Sequence, residues 1–247
     1  MARTGGFNVG ASPVPDISAA ARRYTRTMTG LHVPQHEAYG NVVMPHSRSE
    51  EIASAYDRMP SYDRRAVPAY RAMREEVGRQ FDFLTKPQSR GGMGVDVEAT
   101  HEDPYGRNSV HDIVREVRND VSQGKMKVLS TAATGGHPFF SNDENDMFRA
   151  VHDVFGHLGS GRGIDKHGED AAYLKHSRMF SPAARPAMAT ETRGQNAALH
   201  RHGEFQEQKV GLLPERMLPA QFTRTASPTE LSQARQQAMI ENRKQGL

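Results

Sequence analysis

The sequence contains no cysteine and no tryptophan, and it has no long apolar run. Without cysteine there can be no disulfide and no thiolate-bound zinc or iron–sulfur centre, so any transition metal must be held by imidazole and carboxylate groups. No stretch approaches the roughly 20 apolar residues of a membrane span, and no signal-peptide apolar region is present. These absences predict a protein of the cytoplasm with no membrane association.

Apolar residues are also scarce, at 36% of the 247 residues, whereas the chain has 22 glycines and 14 prolines. Such a composition favours one domain with long loops over several large cores. The 32 Lys and Arg nearly balance 29 Asp and Glu, so the charge does not require a nucleic-acid partner. A small-molecule or nucleotide substrate is compatible with this balance, and the oligomeric state stays open.

Helical periodicity dominates the segments that have any period. Apolar residues recur at three- and four-residue spacings from Tyr62 to Leu84, and the best strand candidate is 127–131. We therefore predict a mainly α fold: a single, mostly helical domain with one or two short strands. Residues 1–45 are interpreted as an extended or weakly ordered arm, 46–225 as the helical domain, and 226–247 as a polar C-terminal helix opened by a capping box at Ser227.

One stretch, 147–158, has polar residues inside its apolar stripe. His152 and His157 lie five residues apart, which puts them roughly 140° apart on an ideal helix. They can converge only if the last turn distorts, and Gly156 permits that distortion. The alternative is that both are ordinary histidines, one in a core and one near a helix C-terminus, where a cation is favourable.

A carboxylate follows downstream in a segment of small residues, at Glu191. A carboxylate in such a setting needs a partner or a function. Two histidines and one carboxylate form the facial triad of non-haem Fe(II) oxygenases, which leaves coordination positions open for dioxygen and substrate. Fe(II) is the predicted ion, and another divalent metal would suit the same donors.

These residues resemble the iron-binding motif of the pterin-dependent aromatic amino acid hydroxylases. The sequence has HDVFGH at 152–157 and TETRG at 190–194, in the same order and at a similar distance as in that family. The resemblance implies that His152, His157 and Glu191 are the iron ligands of a monooxygenase, an oxidoreductase. Asp153 stands where the family has a Glu near the pterin. We find no counterpart of the pterin-stacking and amino-acid-binding segments, so the resemblance does not extend to pterin or substrate.

A longer stretch, from about Asp103 to Leu213, resembles an uncharacterised domain of tailed-bacteriophage proteins. This resemblance implies a phage-encoded protein, placed in the host-cell cytoplasm or in the virion. It implies nothing about activity.

Further polar residues surround the motif, and two of them, Asp153 and Arg193, are predicted to be catalytic. In the alternative interpretation Arg193, Gln195 and Asn196 cap a helix end. Glu169 and His176 would then lie on a solvated helix face. The residues predicted to support the ligands or contact substrate are His137, Glu169, His176, Gln195 and Asn196.

Two other functions compete with the oxygenase hypothesis. HD-type phosphohydrolases also carry a His-Asp pair in an apolar helix, and there His152 and Asp153 would both bind metal so that a metal-bound water attacks phosphorus. A phage structural or interaction protein without catalysis is the third candidate.

Overall fold

The computed structural model describes residues 15–30, 39–105 and 110–227, together with 229–230 and 232–233. Helices dominate this part of the chain, as predicted. Their bounds are α1 Pro15–Thr29, α2 His46–Asp57, α3 Val67–Thr85, α4 Val110–Ser122, α5 Asn142–His152, α6 Lys166–His176, α7 Arg185–Ala189 and α8 Gln195–His202.

Short strands form two small sheets at the edges of the helical body. Strand β1 (Val42–Val43) pairs antiparallel with β4 (Arg224–Thr225), and β2 (Asp96–Thr100) pairs parallel with β3 (Lys125–Leu129). The strand predicted at 127–131 is therefore β3, which begins and ends two residues earlier. Among the described residues no helix is both long and apolar enough to cross a membrane.

Helix α3 lies at the centre and packs against α5 and α7. Its buried side chains Tyr70, Met73, Val77 and Leu84 are separated by three, four and seven residues, so they share one face of the helix. Burial of each large apolar side chain contributes about 1.5–3 kcal/mol to folding. This face is the wall behind the candidate site.

The interpretation of residues 1–45 as an extended or weakly ordered arm is wrong for Pro15–Thr29, which is helix α1. Ile17, Ala21 and Tyr24 are buried at helical spacing, and the Ser18 hydroxyl donates to the Gly159 carbonyl at 3.0 Å. Because small and polar residues narrow this apolar stripe, the composition of the segment did not indicate a helix. Residues 1–14 and 31–38 of the arm lie outside the described residues.

The helix starts depend on local hydrogen bonds. Helix α5 begins with a capping box in which Ser141 and Glu144 satisfy each other's backbone N–H groups. A second capping box joins Ser227 and Glu230, as predicted for the C-terminal helix. Beyond residues 229–230 and 232–233, that predicted helix lies outside the described residues.

Candidate metal centre

The two histidines are brought together by a change of helix type. Helix α5 continues into a π-helical turn over Asp153–Leu158. A π-helix bonds residue i to i+5, so residues five apart lie near the same face, and such turns are frequent at functional sites. The ring centroids of His152 and His157 are 5.1 Å apart. The distortion that the five-residue spacing requires is thus present.

Gly156 provides room for this arrangement. A Cβ atom at Gly156 would lie 3.1 Å from Cε1 and Nδ1 of His152 and 3.2 Å from the Ala172 Cβ. Glycine therefore lets the His152 ring lie over the π turn while α6 packs closely against the same turn. The backbone conformation itself is ordinary at this position, so space rather than φ is the reason for glycine.

The carboxylate that meets the two imidazoles is Glu169 of α6. One ligand atom from each of His152, His157 and Glu169 lies within 4.8 Å of the others. Glu169 Oε2 is 3.5 Å from His157 Nε2 and 3.9 Å from His152 Nε2. A group of two imidazoles and one carboxylate at such distances can close around a single metal ion.

The His157 ring is oriented by a backbone carbonyl. Its Nδ1 donates to the Arg162 oxygen at 2.9 Å, so Nε2 is the nitrogen that faces Glu169. The Arg162 guanidinium is buried and donates to the carbonyls of Tyr39 and Val42. The loop after the π turn is therefore fixed from both sides, as expected for the residues behind a metal ligand.

The His152 ring is oriented by a chain of three side chains. The Gln80 amide donates to the Met179 carbonyl at 3.4 Å, so the Gln80 oxygen accepts from His176 Nε2 at 2.7 Å. Burial holds the pKa of His176 well below its usual value, so its Nδ1 is an acceptor. His152 Nδ1 donates to it at 3.1 Å. In neutral His152 the lone pair is then on Nε2.

The inner nitrogen of His152, Nε2, is buried and has no hydrogen-bond partner among the described residues. A buried polar atom without a partner is costly unless something else satisfies it. A metal ion bound to Nε2 would do so, and the donor set therefore fits one.

Charge and hydrogen bonds prepare Glu169 as an anion. Asn196 donates to its Oε2 at 2.9 Å. Burial opposes ionisation of Glu169, but the attraction and hydrogen bond of the neighbouring His157 outweigh it and lower the pKa of Glu169 to about 2. Burial likewise opposes charge on His157, and Glu169 outweighs it, raising the pKa of His157 to about 9.

The predicted ligand Glu191 does not belong to this group. Its Oε1 accepts from the Tyr70 hydroxyl at 2.6 Å and lies 3.3 Å from His137 Nε2, while Oε2 accepts from the Gln195 amide. His137 Nδ1 in turn accepts from the backbone N–H groups of Phe139 and Phe140. The structure therefore places Glu169 and not Glu191 with the two histidines, because among the described residues it is Glu169 whose oxygen lies within 4.8 Å of both.

The two predicted catalytic residues lie in different places. Asp153 lines the cavity beside the metal group, and burial raises its pKa. Arg193 lines neither large cavity: it pairs with Asp170 at 2.6 Å and lies over the Tyr173 ring at 4.2 Å. Arg193 thus faces the core and not the cavity beside the metal group, and its catalytic role stays a prediction.

The metal group opens on two cavities. The larger one, about 1080 Å³, also contains Glu191, Gln195 and His137 in its wall. The second, about 780 Å³, shares Asp153, His157 and Glu169 with the first. The three proposed ligands therefore lie at a place that small molecules can reach.

Sequence reasoning placed Glu169 and His176 near the ligands but missed two residues. The first is Gln80. It could have been recognised as a polar amide three positions after Val77, on the buried face of α3. The second is Arg162, whose backbone carbonyl orients His157. No feature of the sequence distinguishes this carbonyl from those of other residues.

Comparison of the chain with family models, with curated proteins and with solved structures found no match in any of the three. The account of the site therefore depends on its geometry.

Proposed function

We propose that the chain is a mononuclear non-haem metalloprotein of the oxygenase or hydroxylase type, with His152, His157 and Glu169 as ligands. One observation carries the proposal. The outer nitrogens of both histidines are held by protein hydrogen bonds, while their inner nitrogens converge on Glu169 Oε2, which Asn196 holds in place beside a cavity. Such preorganisation is typical of metal ligands.

The donor set supports Fe(II). Two imidazoles and one carboxylate occupy one face of an octahedral ion and leave the other positions for dioxygen and substrate. A bound Fe(II) would supply the activation of dioxygen, which amino-acid side chains cannot perform. The resemblance of 152–157 to the hydroxylase motif agrees with this choice of metal.

The chain itself would position the reactants and control water and protons. Phe148 lies against His152, with ring centroids 5.8 Å apart, and helps to keep water from the back of the site. Asn196 holds Glu169 in one orientation. Asp153, whose pKa is raised by burial, can give or take a proton at its carboxyl group near the substrate.

A metal-dependent hydrolase is the second candidate, and Asp153 favours it. Two histidines and a glutamate also hold catalytic zinc, and a neighbouring carboxylate can then serve as the general base. The HD-type phosphohydrolase is less well supported, since Asp153 lies outside the three-residue group. Phage origin and a purely structural role stay predictions.

The test is reconstitution without oxygen. We expect the purified chain to bind about one Fe(II), and nitric oxide to give the S = 3/2 electron paramagnetic resonance signal of ferrous iron with an open position. Uptake of dioxygen should depend on the metal. A chain that binds no iron but binds one zinc and hydrolyses esters or phosphoesters would contradict the oxygenase proposal and support the hydrolase.

A further inference from the structure

The two cavities differ in the chemistry of their walls, although both touch the metal group. The larger cavity has neutral amides facing it, from Gln195, Gln206 and Gln208 among others. The smaller one lies between α4, β3 and α8, with apolar walls from Val114, Val117, Val128, Leu158 and Leu199. A ligand that spans the metal group would therefore meet polar groups on one side and apolar groups on the other.

Charge limits what the polar cavity can hold. Its described lining has four carboxyl groups, on Asp153, Glu169, Glu191 and Glu207, and one guanidinium, on Arg149. Arg149 already donates to the Leu129 carbonyl and the Thr134 hydroxyl. The His157 cation is likewise paired with Glu169. In the metal-free protein an anionic head would therefore meet these carboxylates with both cations of the lining already engaged, so a neutral hydrogen-bonding head is favoured.

An exposed aromatic ring borders both cavities. Phe205 is 75% exposed, yet it is part of the lining of both cavities. A large exposed apolar side chain at the rim of a cavity is typical of a ligand site, because a bound apolar group covers it.

We propose that the substrate is a neutral amphipathic molecule. Its hydrocarbon part would lie in the apolar cavity beside Val117 and Leu199, and its hydroxyl or amide head in the polar cavity, with the metal group between them. The apolar part of this inference stands on the cavity alone, and the placement of the reacting atoms rests on the proposed function.

The test uses N-phenyl-1-naphthylamine, a neutral apolar dye that brightens on burial, with 1-octanol and octanoate as competitors. We expect the dye to bind the metal-free protein and 1-octanol to displace it, with octanoate at least about tenfold weaker because of the carboxylates in the wall. In the Co(II)-loaded protein, 1-octanol should shift the visible absorption bands of the metal. Equal competition by octanoate, or no shift of the cobalt bands, would overturn the proposal.

Two matched substitutions locate the dye. Leu199→Trp fills the apolar cavity and should weaken dye binding at least about tenfold, since it displaces the equivalent of two or more buried methylene groups. Leu174→Trp is the control, because Leu174 is also half-buried but lines neither of the two cavities. Equal loss in both variants would overturn the cavity assignment.

Metal binding separates this inference from the proposed function. Both variants should bind Co(II) as the unmodified chain does. The unmodified chain could bind the dye but no metal, with dye binding lost in Leu199→Trp. That result would support the apolar site and contradict the metal function. Metal binding without any dye binding would support the metal function and contradict the apolar site.

Discussion

The described part of the chain has two π-helical turns, and each contains a residue that the sequence predicted to be a metal ligand. The first, Asp153–Leu158, presents His152 and His157 with their outer nitrogens bonded and their inner nitrogens facing Glu169. The second, Thr190–Gly194, presents Glu191, whose two oxygens both accept hydrogen bonds from protein donors. Both turns border the same cavity.

The difference shows that a ligand is defined by its unused lone pairs as much as by its residue type. Glu191 is a buried carboxylate on a π turn, but Tyr70 and Gln195 satisfy it. His152 Nε2 has no partner among the described residues, and it is the atom that a metal would satisfy. Matched substitutions in the two turns test this difference.

The largest effect is expected from exchanging the carboxylates for amides. Glu169→Gln should weaken divalent metal binding at least about 100-fold, because even loss of a supporting group costs 10- to 100-fold. Glu191→Gln should leave the metal Kd within about threefold but lower the free energy of unfolding by about 1–3 kcal/mol, since its amide would face other donors. Calorimetric titration and chemical denaturation measure both. Metal loss in Glu191→Gln alone would restore Glu191 as the ligand.

The second prediction concerns pH. With a pKa of about 9, His157 is protonated at pH 7 in the metal-free protein, and metal binding must release that proton. Metal affinity should therefore rise about tenfold per pH unit from pH 7 and level off above pH 9. Glu169, with a pKa of about 2, stays ionised throughout. Glu191→Gln should show the same profile, and a flat profile from pH 7 to 9 would refute the charged pair.

The third-largest effect is expected from the residues that orient the side chains of each turn. Gln80→Leu removes the group that orients His176 and through it His152, so metal affinity should fall about 10- to 100-fold. The matched change behind the second turn, Gln195→Leu, removes a partner of Glu191 and should leave metal affinity nearly unchanged. Binding isotherms for the two variants decide the point, and equal losses would mean that both turns serve the metal.

The smallest effect is expected from the glycines of the turns. Gly156→Ala pushes the His152 ring, and an off-rotamer ring costs about 0.5–1.5 kcal/mol, or up to about tenfold in metal affinity. In Gly194→Ala the new Cβ would lie 3.0 Å from the Tyr56 ring instead. That variant should lose thermal stability and keep its metal affinity. A normal Kd in Gly156→Ala would show that the ring adjusts without cost.

Much of the fold was readable from the sequence. The period of α3, the strand near 127–131 and the capping box at Ser227 predicted real elements, because apolar spacing and capping chemistry are local. Helix α1 was missed, since its small buried residues gave little apolar signal. It packs against the π turn and the 3₁₀ turn Ser177–Met179, which are distant in the sequence.

By itself the sequence determined a mainly helical protein without thiolate chemistry, and it singled out His152 and His157, whose spacing demands a distorted turn. Only the tertiary structure decided the carboxylate. Glu169 and Glu191 are chemically equivalent in the sequence, and the choice between them depends on which donors reach each one from distant elements. Tyr70 reaches Glu191 across 121 positions of the chain, and no local pattern records such a contact.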